Sequence, residues 1–344
     1  MSETGTNYKT YKTIDEQIEY LKESKKIIVD DEDRHYFEER NYISLINPYK
    51  EYFSTGRNNK GKLVYKKEAN FKELINLINI DDKFAKKLYE AIGYFERKLK
   101  NVLFSEICKL YIDNEEKDIH CISYVSEIQS FITKQTELPP QFCSNFNYLY
   151  VTEKGNIKKI IDNYNIKRKT DVLIHIYQIA TNSSIDGSVL EDHEECSNKL
   201  IRHCYKKQQI VPLWIIPNAL TMGELQTLFL MLPDEPQKKI ISKIMNIDTT
   251  KVSSKNVVAF AGQIEQIRKL RNIVNHYEPV LPFLMSEIKT KKIEQSQLFT
   301  TLEILFKISP VVDIKPDEIQ AKINPSNAKI IRILNGAINL DGVR

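Results

Sequence analysis

The chain has 344 residues, 42% of them hydrophobic and 28% charged, with only 10 glycines and 12 prolines, which favours a large helical core over a loop-rich β protein. Five cysteines without a CxxC pair, a polar opening segment and the lack of any apolar run near ~18 residues weigh against a disulfide scaffold, a secretory signal and a membrane span, so a cytoplasmic protein is expected. The net charge of +4 is uneven: residues 200–344 hold 20 Lys+Arg against 13 Asp+Glu and residues 1–199 hold 30 against 33, a basic half that suits a polyanionic partner.

Residues 1–12 read as a disordered lead-in. Thr13 to Ile28 places Ile14, Ile18, Leu21 and Ile28 at helical spacing, and Thr13 with Glu16 forms a capping-box pattern. Glu32 to Phe53 follows, rich in Tyr and Phe and broken near Asn47-Pro48; core packing accounts for those rings better than base stacking. Ser54 to Tyr65, with Gly56 and Gly61 among Arg57, Lys60 and Lys62, reads as an exposed basic loop or short hairpin. Phe71 to Ile80 reads as a short helix, and Asp81 as the cap of a long one reaching Ile112, where Leu88, Ile92, Phe95, Leu99, Leu103 and Ile107 recur every three or four residues. Further helices are expected over Ile119–Thr133, Phe146–Asn163, Lys169–Ala180, Leu190–Lys207, Thr221–Leu232, Glu235–Met245 and Glu287–Ile308, with a strand-like stretch at Ile210–Ile216. The pattern is that of an all-α protein, with residues 311–344 as an appended helical tail.

The densest cluster of chemistry lies in the helix predicted over Val257–Tyr277, which Pro279 stops just past a histidine. On a helical wheel, Ile267, Leu270, Ile273 and Val274 share one side, while Arg268, Arg271, Asn272, Asn275 and His276 gather within roughly 140° of the other. A core-facing helix has no packing reason to collect two arginines, two amides and a last-turn histidine on one arc. Arg271 and His276 are the residue types that cleave RNA without a metal. The RNA supplies its own 2′-OH as nucleophile. Histidine, with an ordinary pKa near 6.5, moves the protons, and arginine offers a planar fork to the phosphate oxygens.

Four blocks taken in order resemble AbiD/AbiF-type abortive-infection proteins of the HEPN ribonuclease superfamily. Arg40 to Tyr49 resembles the family's aromatic block, with Ile43 and Ser44 where Tyr and Arg are usual and Pro48 in place of Gly. The helix Leu88 to Ile107, carrying Glu96 to Lys100, resembles its Ile-Glu … Leu-Arg helix. Trp214 and Leu220-Thr221-Met222-Gly223-Glu224-Leu225 resemble its Trp and Leu-Thr-Phe-Gly segment. Leu270-Arg271-Asn272 through His276 resembles the nuclease block.

The resemblance implies an all-α HEPN-type helical bundle over residues 13–310, with an N-terminal helical part at 13–135, insertions, and the nuclease motif within 254–283. It also implies a metal-independent endoribonuclease that acts as a toxin, a dimer-type site, and control by a small bound RNA. Arg271, Asn272 and His276 are then the catalytic candidates. Arg268, Asn275, Lys206, Lys207, Lys291 and Lys292 are candidates for RNA contact, and no cofactor or metal is expected. On an ideal wheel Arg271 and His276 lie ~140° apart, so a homodimer, each site drawing on both copies, answers the geometry. A non-catalytic RNA-binding protein on the same fold is the alternative. Two other groupings are weaker. Arg168 and His175 repeat an Arg-to-His spacing without the amides, and His193, Cys196, His203 and Cys204 cluster without a common zinc spacing.

Overall fold

The computed structural model describes residues 11–65, 69–112, 118–134, 158–184, 187–189, 197–289 and 295–309. Twelve α-helices occur among them, and the protein is an all-α bundle as expected. No described helix is long and apolar enough to cross a membrane. The described residues divide into two compact units, one drawn from the stretches 11–90 and 270–303, the other from 91–269 and 304–309. The tail 311–344 and the lead-in 1–10 lie outside the described residues.

The first unit begins with the helix Ile14–Lys25, whose Thr13/Glu16 capping box forms on both sides. It stops three residues earlier than expected. Lys26 turns left-handed, at φ 57°, and releases Ile27-Ile28 to pair in parallel with Ala69-Asn70. The aromatic block that follows breaks into short helices, Tyr36–Glu39 and Tyr42–Ile46, because Asn41 caps the second one and the chain turns again before Tyr49. Its rings are core. Phe37, Tyr49 and Phe53 are buried with Leu21, Ile27, Leu45, Ile46 and Phe71, and Phe37 stacks on Phe71 at 5.3 Å between centroids. Lys25 is drawn in too, its ammonium 5.2 Å from the Tyr42 ring and 5.7 Å from Tyr65. Burial and the nearby Lys50 push its pKa down to about 8. Ser54–Arg57 and Leu63–Tyr65 pair as the antiparallel hairpin that the glycines foretold.

One reading of the sequence fails here. Asp81 does not cap a new helix, because Phe71–Ile112 is continuous over 42 residues and Asp81 sits inside it. Its side chain is 2% exposed, and its Oδ2 accepts a 2.5 Å hydrogen bond from the Tyr49 hydroxyl. Its Oδ1 accepts from the backbone N–H of Leu281 at 2.8 Å. An aspartate looks the same in sequence whether it caps its own helix or satisfies a distant one. Of the helix expected over Glu287–Ile308, the described residues lie in Val280–Lys289 and Gln295–Ile308, and residues 290–294 between them lie outside the described residues.

In the second unit, Tyr124–Lys134 packs on Lys158–Thr181, which packs in turn on Met222–Met231. Phe95 from the long helix, Phe229 and Phe260 form an aromatic chain, with centroids 6.3 Å apart for Phe95–Phe260 and 5.3 Å for Phe229–Phe260. Thr221 and Glu224 make a second complete capping box, so the Leu220–Leu225 block is a helix start with Leu220, Met222 and Leu225 buried. His175 bonds Glu224 of that capping box, so its imidazole has a partner within the second unit. The buried Glu106 pairs with Lys243 and Lys109. The strand expected at Ile210–Ile216 is not one. Pro212 removes a donor, and Val211 and Leu213 are instead tied singly, their N–H groups donating to the carbonyls of Ala180 and Cys121. The helix expected at Phe146–Asn163 lies partly outside the described residues, as does the start of Leu190–Lys207.

Candidate active site

The motif helix runs from Ser254 to Asn275, with residues 270–275 in the first unit. It ends in a Schellman turn. The N–H of Glu278 donates to the Ile273 carbonyl at 3.0 Å, and that of Tyr277 donates to Val274 at 3.3 Å. His276 is therefore the C-cap, and Tyr277 occupies the left-handed position, at φ 54°, where glycine or asparagine is usual. A side chain there costs roughly 1–2 kcal/mol. The Tyr277 ring is 94% exposed, so little packing offsets that cost. Immediately after Pro279, Val280 and Leu281 are buried, and Asp81 holds the Leu281 N–H. The turn carrying His276 is thus fixed between the helix and the Asp81 anchor.

On the last turns of this helix Arg271 is half-buried, while Asn272, Asn275 and His276 are exposed. By ideal geometry, Arg271 and Asn275 lie ~40° apart in one row, and Asn272 and His276 ~40° apart in the next. The rows are adjacent, so one helix end presents a guanidinium, two amides and an imidazole. Arg268 is different. It belongs to the second unit and is held in a forked bond by Glu265, 2.9 Å at Nε and 2.6 Å at Nη2. Lys206 and Lys207 are exposed at the end of the helix Lys199–Lys206, also in the second unit. Lys291 and Lys292 lie outside the described residues. Of the weak zinc grouping, Cys204 is a buried core residue, and His193 and Cys196 lie outside the described residues.

Beside the helix end, within the first unit, lies a cleft of about 850 Å³. The aromatic block supplies Glu39, Arg40, Asn41 and Ser44, the long helix supplies Asp82, Lys86 and Tyr89, and the motif segment supplies Asn275, Tyr277 and Glu278. Ser44, where the resembled block usually carries arginine, leaves the cleft with two basic residues, Arg40 and Lys86, against four acidic ones, Glu39, Asp81, Asp82 and Glu278. Arg40 is paired with Asp82. At the floor, burial and the adjoining carboxylate push the Tyr49 phenol well up, keeping it a donor to Asp81. Burial in turn lifts Asp81 to about 6, against the opposing pull of the Tyr49 and Leu281 bonds. Sequence reasoning found the helix end. It missed the cleft, because Tyr277, Glu278 and Glu39 carry no motif. The usable signal was a bulky residue between the last helical turn and Glu-Pro, where a left-handed cap falls.

The aromatic block, the capping-box helix and the motif helix fall inside one stretch that a family model covers. The model of the Abi-like proteins matches residues 35–281. The chain belongs to the Abi-like protein family. The family is one of abortive infection, so this Abi-like protein has an abortive-infection role. The match begins just before the buried aromatic block and closes at Leu281, the residue that Asp81 anchors. No curated protein matches this Abi-like chain, and neither does any solved structure.

Proposed function

We propose that this Abi-like protein is a metal-independent endoribonuclease of HEPN type. It acts as the toxin of an abortive-infection or toxin–antitoxin system and is restrained by a bound small RNA. The observation that carries the reading is the helix end itself, where Arg271, Asn272, Asn275 and an exposed His276 share two adjacent rows, held by a Schellman turn. In the step envisaged, the RNA 2′-oxygen attacks its own phosphorus and gives up its proton to an imidazole. The P–O5′ bond then breaks, and the departing 5′-oxygen is protonated. Arg271 neutralises the charge that builds on the non-bridging oxygens, and Asn272 orients the imidazole or the sugar. Two copies of the helix end, facing across a twofold axis, place Arg271 of one against His276 of the other, which makes the active form a homodimer. Target and regulatory RNA are the partners, and the basic excess of residues 200–344 supplies salt-sensitive phosphate contacts.

The products test this chemistry. Purified protein incubated with single-stranded RNA in excess EDTA is expected to leave 2′,3′-cyclic phosphate and 5′-hydroxyl ends. Cleavage that vanishes on chelation and returns with Mg²⁺, leaving 5′-phosphate ends, would replace 2′-OH attack with metal-activated water.

A further inference from the structure

Tyr277 is the costliest exposed residue beside the motif: left-handed, almost wholly solvent-facing, and directly after His276. Folding alone would favour glycine at this position. Tyr277 and Tyr89, the latter 58% exposed, both line the cleft. Four of the other cleft residues are carboxylates, which only accept hydrogen bonds when ionised. Glu39 and Glu278 are exposed and make no side-chain hydrogen bond or ion pair among the described residues. Asn275 is exposed beside them, and the Asn41 side-chain oxygen is used in capping Ser44, which leaves its amide nitrogen as a donor. With four carboxylates against two cations, the cleft repels phosphate. Its volume and its tyrosines suit a flat, neutral ring.

We infer that the cleft is a base-recognition pocket, in which an unpaired guanine of single-stranded RNA stacks on Tyr277 and is read by the Glu278 and Glu39 carboxylates. A carboxylate is acceptor-only and prefers two neighbouring donors. Guanine's N1–H and N2–H₂ supply such a pair on its Watson–Crick edge. Adenine and cytosine set one donor beside an acceptor, and uracil flanks its single donor with two carbonyls, so each turns a lone pair toward the carboxylate. Because Tyr277 follows His276 directly, the pocket accepts a base close to the scissile phosphate and fixes where the chain is cut. This inference rests on the RNA-cleaving reading above and adds its base specificity.

The test is binding rather than turnover, by fluorescence anisotropy. The His276→Ala protein is titrated with short labelled RNAs of uridine alone and of uridine with a single central guanosine, adenosine or cytidine. Guanosine RNA is expected to bind about tenfold tighter than each of the other three, the scale of one bidentate base contact, since every base can stack on the ring. In the Tyr277→Gly background that preference should disappear although the protein melts no lower, a combination that a purely structural Tyr277 would not give. The Glu39→Gln/Glu278→Gln pair should bring guanosine RNA down toward the others while uridine RNA is unaffected or binds tighter. Equal affinity for all four RNAs, or a preference that survives both variants, overturns the pocket and leaves the nuclease reading standing. Absence of any RNA binding overturns both.

Discussion

Replacing Asp81 with asparagine isolates the anchor that holds the chain just after His276. A carboxyl raised from its ordinary 3.8 to about 6 is one whose ionised form the fold disfavours, here because only 2% of the residue is exposed. At about 1.4 kcal/mol per pH unit, the rise corresponds to about 3 kcal/mol. The sign follows from proton binding: between pH 3.8 and about 6 the folded protein holds a proton that the unfolded chain has lost. Asp81 thus contributes stability that is fully present below 3.8 and is lost as the pH rises through about 6. Asparagine keeps an oxygen for the Leu281 N–H and a polar group for Tyr49, and it does not titrate. Urea unfolding of both proteins from pH 4 to pH 8 should show the wild type losing about 3 kcal/mol relative to Asp81→Asn across that range. Parallel stability curves would refute the buried anchor.

Two further substitutions probe the framework. Tyr277→Gly relieves a left-handed side chain at a nearly fully exposed position and should stabilise the fold by about 1 kcal/mol after the extra chain entropy of glycine, read as a higher midpoint in urea; a loss of stability would mean that Tyr277 packs against something. Glu224→Gln keeps the capping box with Thr221 but removes the charge that His175 bonds. The Glu224 bond raises His175 above 6.5, while burial of Glu224 is outweighed by its bonds to His175 and Thr221, so its pKa falls below 4.5. The wild-type advantage, about 1 kcal/mol or less for a partly exposed pair, should be complete between pH 4.5 and 6.5 and fade on either side. An advantage independent of pH would contradict an ion pair.

What the sequence made legible were features written in local spacing. The Thr13/Glu16 and Thr221/Glu224 capping boxes, the heptad-like run from Leu88 to Ile107 and the end of the motif helix before Pro279 each depend on residues within one or two turns. The misreadings came where a residue answers to a distant partner. Asp81 resembles a cap until Tyr49 and Leu281 are brought to it, and Ile210–Ile216 resembles a strand although Val211, Leu213, Ile215 and Ile216 are buried without strand pairing and Ile210 and Trp214 are exposed. The candidate site divides the same way. Arg271, Asn272, Asn275 and His276 share a helix and could be grouped by angle alone. The cleft assembles three segments separated by long stretches of chain, and Arg268 was grouped by angle although Glu265 holds it.

The most direct test is the effect of His276→Ala on RNA cleavage by the purified protein. His276 is exposed at the C-cap, and its backbone N–H donates to the Asn272 carbonyl at 3.0 Å, a bond that alanine keeps. The variant should therefore fold and melt as the wild type does while cleaving at least about 100-fold more slowly, the scale of losing a general acid/base. A folded His276→Ala protein that cut RNA at the wild-type rate would contradict the proposed active site.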